Sequence, residues 1–133
     1  MLRYALDTNL CIRVLRDRPP GLRARFNAHA EALCISDAVL YELLHGAERS
    51  GNAAGMRRAV EHFAGRLAVL PFDSAAAAHT AEIRANLEAR GCVIGPYDLM
   101  IAGHAHSRGL VVVTGNLGEF ARVRGLLCED WQA

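Results

Sequence analysis

Leu2-Arg3-Tyr4-Ala5-Leu6-Asp7-Thr8-Asn9-Leu10-Cys11-Ile12-Arg13-Val14-Leu15 decides how this chain folds. Residues 2–6 read as a short strand. A helical pattern follows at once, with apolar Leu10, Ile12, Val14 and Leu15. Asp7 thus falls between a strand's C-terminal end and a helix N-terminus, the edge at which open α/β sheets bind ligands. Three further acids, Glu42, Asp98 and Glu119, recur near comparable element starts.

Working outward, strands and helices alternate. Pro19-Pro20-Gly21 breaks the first helix, and a second runs to about residue 30. Ala32–Ile35 reads as strand two. Ser36 or Asp37 then caps a helix carrying Val39, Leu40, Leu43, Leu44 and Ala47, which Gly51-Asn52 closes. Another helix covers roughly 53–65, and Leu67–Phe72 is a strand. The alanine-rich 74–90 segment is helical and ends at Gly91. Gly95-Pro96 opens a helix over 97–108, ended by Gly109. Leu110–Thr114 is an apolar, β-branched run of the kind buried on both faces of a sheet. Asn116–Ala121 is a short helix, and Gly125–Cys128 reads as an edge strand. This alternation predicts an α/β fold with a short, mostly parallel sheet flanked by helices. It does not give the strand order. No linker or repeat divides the chain, so 1–133 is read as a single domain.

With 133 residues, 52% of them hydrophobic, the chain is long enough to bury a core. No apolar run approaches the ~20 residues of a membrane span. No basic segment precedes a hydrophobic one at the N-terminus, so a cytoplasmic location is expected. Cys11, Cys34, Cys92 and Cys128 lack metal or disulfide spacing and read as small hydrophobes. The net charge of +1 gives no overall basic field, yet all fifteen cations are arginine. Arg13, Arg16, Arg18, Arg23 and Arg25 cluster near the N-terminus; they form either a phosphate grip or a solvated helix face.

Each acid has a plainer role open to it. Asp7 can cap its helix, with Thr8 or Asn9 sharing the role; Asp98 can complement a helix dipole; Glu119 can be a solvated surface acid. Glu42 is harder to dismiss, because a carboxylate beside the apolar stripe of Val39-Leu40-Tyr41-Glu42-Leu43-Leu44 is costly unless paired or metal-bound. Together the four suit a divalent cation. Magnesium takes hard oxygen ligands, and two such ions ~4 Å apart serve an in-line phosphodiester displacement. Thr114 and Asn116 add neutral hydrogen-bonding groups. The histidines are scattered and do not suggest zinc.

These residues resemble the PIN-domain ribonucleases, and among them the VapC toxins of type II toxin–antitoxin modules. The resemblance rests on Leu6-Asp7-Thr8-Asn9, Cys34-Ile35-Ser36, Glu42 with Leu44-His45-Gly46-Ala47-Glu48, Ile94-Gly95-Pro96-Tyr97-Asp98 through Ala105, Leu110–Thr114, Glu119-Phe120-Ala121-Arg122-Val123 and Glu129-Asp130-Trp131. It is closest to the subgroup that cuts initiator tRNA in its anticodon loop. It implies a PIN-like α/β/α sandwich and magnesium, or manganese in its place. Asp7 and Asp98 would be principal ligands, with Glu42 and Glu119 completing the acidic core. Thr8, Asn9, Ser36, Thr114 and Asn116 would support them, and Arg13, Arg16, Arg23 and Arg25 would contact RNA. A homodimer, an RNA substrate and a VapB-type antitoxin are implied as partners. Gly115-Asn116 and Leu117-Gly118 depart from the more polar residues usual there. The alternative is a catalytically weak PIN domain that binds RNA or a partner. A haloacid-dehalogenase-type phosphatase would need an acid at position 9, where this chain has Asn9.

Overall fold

The computed structural model describes residues 1–131. In chain order the elements are β1 (Tyr4–Leu6), α1 (Thr8–Arg16), α2 (Leu22–His29), β2 (Leu33–Ser36), α3 (Asp37–Glu48), α4 (Ala53–Ala64), β3 (Ala68–Leu70), α5 (Ser74–Ala89), α6 (Pro96–Arg108), β4 (Val111–Val113), α7 (Leu117–Phe120) and β5 (Cys128–Glu129). A 3-10 turn, Ala30–Ala32, joins α2 to β2. The expected α/β architecture is what is found. Strand boundaries shift by one or two residues, and by three at the start of β5, expected from Gly125 and found at Cys128, because the pairing partners, and not the apolar run alone, decide where a strand begins and ends.

The five strands lie in the order β3-β2-β1-β4-β5, and every pairing is parallel. Tyr4 registers with Leu33 on one side and Val111 on the other, which makes β1 the central strand. All residues of β1, β2 and β4 are buried, as their unbroken apolar sequences require when helices cover both faces. Each fully buried Val or Leu contributes about 1.5–3 kcal/mol.

Local chemistry ends the helices where the sequence marks them. Ser36 accepts from the Val39 N–H at 3.3 Å and so caps α3. Asp73 accepts from the Ala76 N–H at 2.9 Å and caps α5. Gly109, at φ 66°, takes the left-handed turn that closes α6. α5 and α6 pack closely, and Gly103 of α6 lies against Thr80 of α5. Cys11 and Cys34 are buried hydrophobes, and none of the four cysteines is paired. Among the described residues, no helix is long and apolar enough to cross a membrane.

Candidate active site

A parallel sheet brings all its strand C-termini to one edge, and that edge gathers the acids. Asp7 follows β1 and is 3% exposed. Its Oδ1 accepts from the Leu10 N–H at 2.8 Å, so it does cap α1. Its Oδ2 accepts from Thr114 Oγ1, at the end of the neighbouring strand β4. Each carboxylate oxygen has two lone pairs, so both roles leave capacity for a further ligand. Thr114 is held in turn: its hydroxyl accepts from the Asn116 N–H at 2.8 Å, and its own N–H donates to the Glu129 carbonyl at 3.0 Å.

Glu42 sits about one and a half turns into α3. Thr8 Oγ1 donates to its Oε1 at 2.5 Å and turns it toward Asp7. Asp98 lies in the first turn of α6, which Pro96 starts at the same edge. Glu119 in α7 accepts from Asn116 Nδ2 at 2.6 Å and contacts the Asp98 carboxyl. Asp7, Thr8, Asn9, Glu42, Tyr97 and Asp98 line one cleft. Ser36, by contrast, is buried and spends its hydroxyl on the α3 cap.

The cluster resists ionising fully. Burial raises the Asp7 carboxyl above its ordinary range, against the opposing hydrogen bonds from Thr114 and Leu10; nearby Glu42 raises it further. Asp98 is pushed up to about 7, first by burial, then by its hydrogen bond and repulsion with Glu119, then by Asp7 and Glu42. At neutral pH this site therefore still holds protons that a cation would displace. The donors are all carboxylate and hydroxyl oxygens, a set that fits a hard divalent cation. Among the described residues, no three His, Cys, Asp or Glu side chains close on one point tightly enough to hold an ion by themselves.

Comparison with known proteins agrees with this geometry. The PIN domain family model matches residues 4–126. The chain belongs to the PIN-domain family, in its VapC group.

Two relatives bear on the group. The tRNA(fMet)-specific endonuclease VapC of Salmonella typhimurium is 51% identical, covering 98% of this chain and 99% of that protein. Ribonuclease VapC2 of Haemophilus influenzae is 42% identical over the same shares. Among solved structures, the DNA-bound VapBC of Salmonella typhimurium superposes with a TM-score of 0.94 at 51% identity, covering 98% and 99% of the two chains. VapBC2 of Rickettsia felis bound to a promoter DNA fragment gives 0.91 at 31%, with the same coverage.

The raised Asp98 makes the stability of this PIN domain pH-dependent when metal is chelated. Unfolded Asp titrates near ~3.9, whereas folded Asp98 does so at about 7. Between those values the folded state binds more protons. Its contribution is therefore fully present below about pH 4 and is lost as the pH rises through 7. Asp98 is only half-buried, so solvent screening limits the effect to a few degrees of Tm. Thermal melts in EDTA should show Asp98→Asn gaining on the wild type between pH 5 and 8. An unchanged difference across that range would contradict the raised value.

The arginines divide. Arg13, Arg16 and Arg18 line a recess with Asn9, next to the acid cleft. Arg23 instead donates from Nε and Nη2 to the Val14 and Leu15 carbonyls and finishes α1. Arg25 lies over the Trp131 ring, its Cζ 4.9 Å from the centroid, and donates to the Trp131 carbonyl. Those two brace the end of α1 and the Trp131 ring, and neither lines the acid cleft. Two of the scattered histidines, His79 and His106, meet in space, with their Nδ1 atoms 2.8 Å apart across α5 and α6. The cleft also contains Tyr97, which sequence reasoning passed over. A signal was present: a tyrosine precedes an acid twice, at Tyr41-Glu42 and Tyr97-Asp98.

Proposed function

We propose that this protein is the toxin of a toxin–antitoxin pair, an endoribonuclease that cuts initiator tRNA in its anticodon loop and so stops translation. The observation that supports it is the convergence of Asp7, Glu42, Asp98 and Glu119 on one sheet edge, in a chain half-identical to a tRNA(fMet)-specific endonuclease. Asp7 and Asp98 would hold magnesium, or manganese in its place, with Glu42 and Glu119 completing the donor set. When bound, the cation supplies positive charge that draws the phosphodiester into the cleft and stabilises its transition state. The chain's own groups prepare that position. Thr114 and the Leu10 N–H fix the Asp7 carboxylate; Thr8 turns Glu42 inward; Asn116 orients Glu119. Asp98, pushed up to about 7 by burial and by Glu119, is partly protonated at neutral pH and would give up that proton to hold a cation. Asn9 lies at the mouth of the cleft, and Arg13 and Arg16 beside it offer charge to the RNA backbone. A purely binding role would not need four mutually repelling acids.

Residues 1–133 would act as one domain in a homodimer. The VapBC structures that superpose on the chain support a VapB-type antitoxin as its partner. Purified protein should cleave an initiator tRNA transcript in magnesium, with the new ends mapping to the anticodon loop, and EDTA should stop it. Cleavage that is indifferent to EDTA, or ends scattered over all RNA, would overturn this reading.

A further inference from the structure

Exposed aromatic side chains are uncommon on this protein, and those of α3 and α6 lie together. Tyr97 is 41% exposed and lines the acid cleft. Tyr41 is 52% exposed, its ring centroid 5.9 Å from that of Tyr97. Tyr41 also runs parallel to His45, four residues on in α3, with centroids 6.1 Å apart and planes within 6°. The rings form a strip that starts inside the acidic cleft and continues over a hollow floored by Leu40 and Leu44. Both acids at the rim of that hollow are engaged: Glu48 pairs with Arg57, and Asp37 accepts from the Phe72 N–H at 2.9 Å.

We propose that Tyr97 and Tyr41 form a stacking subsite that holds the base of an unpaired nucleotide beside the scissile phosphate. This rests on the ribonuclease reading and extends it. A phosphodiester seated at Asp7 and Asp98 places its neighbouring nucleotide against Tyr97, because both acids and that ring line the same small cleft. Single-stranded RNA is recognised by splayed bases stacked on aromatic rings. Such contacts are insensitive to base identity, so the strip selects unpaired over paired RNA and positions the backbone. Sequence preference would come from elsewhere.

The test is cleavage of an RNA hairpin in magnesium, together with anisotropy binding of a fluorescein-labelled single-stranded oligoribonucleotide. Tyr41→Ala and Tyr97→Ala should each lower kcat/KM and binding by about 10-fold or more, and Tyr41→Phe and Tyr97→Phe should restore both. An abasic nucleotide at the stacked position should weaken wild-type binding by a similar factor and cause no further loss in the alanine variants. Alanine variants within twofold of wild type, or an abasic penalty that persists in them, would overturn the subsite. So would loss of activity accompanied by a fall from dimer to monomer in sedimentation, which would make the strip an interface between copies. A wild type that binds the intact oligonucleotide better than the abasic one but cleaves no RNA would sink the ribonuclease reading and leave the stacking standing.

Discussion

Asp7→Asn abolishes RNA cleavage while raising the melting temperature of the metal-free protein. The loss is expected to be at least ~10³-fold in kcat, about 4 kcal/mol of transition-state stabilisation. The amide removes the charge that would face the cation, yet it is nearly isosteric. Its oxygen still accepts from the Leu10 N–H, so α1 remains capped. Its amino group can donate to the Thr114 hydroxyl, which accepts one hydrogen bond already and has a second lone pair. What disappears is a buried negative charge close to Glu42 and Asp98. Single-turnover cleavage and a melt in EDTA read the two effects separately. Retained cleavage would remove Asp7 from the catalytic centre, and a lower Tm would show that its charge is structurally required.

Gly103→Ala has the largest expected effect on folding. A Cβ built on Gly103 would fall 2.7 Å from the Thr80 Cα and closer still to its hydroxyl. Backbone atoms cannot swing aside, so α5 and α6 must separate. The cost is about 3 kcal/mol or more; the roughly 1 kcal/mol that alanine gains over glycine within a helix offsets only part of it. For a chain of this size the expected fall in Tm is about 10 °C. Activity should drop as well, because α6 also carries Asp98, and a shift of about 1 Å in a reacting group costs on the order of 10²-fold. Adding Thr80→Gly should recover part of the stability by removing the nearest side-chain atoms. A Gly103→Ala protein that melts with the wild type would show that the two helices can slide apart freely.

The sequence reveals this protein unevenly, for physical reasons. Helices announce themselves through local signals, and Asp73, Pro96 and Gly109 sit where the structure uses them. The run Leu110–Thr114 is correctly buried, because full burial leaves an unbroken apolar stretch. Strand order is not local: β1 lies between β2 and β4, residues far apart in the chain, and no motif encodes that choice. The four acids are legible because a carboxylate at a strand end or beside an apolar stripe demands a reason. Their mutual contact is not; the Asp98–Glu119 interaction depends on how α6 and α7 are set against each other. Arginines show the sharpest limit. Arg13 and Arg23 look alike in a charged run, but one faces a recess while the other is consumed by the last carbonyls of α1. His79 and His106, twenty-seven positions apart, meet only because α5 and α6 pack together.

The two rims of the sheet carry a final consequence. β3 has three residues and β5 only two. A foreign strand docking on either rim would find too few free backbone groups to extend a ladder, and short edges of this kind protect against fibril growth. Concentrated protein should therefore resist amyloid-type aggregation. Its colloidal behaviour will be governed instead by the outer face of α3, where Tyr41 and its apolar neighbours meet water.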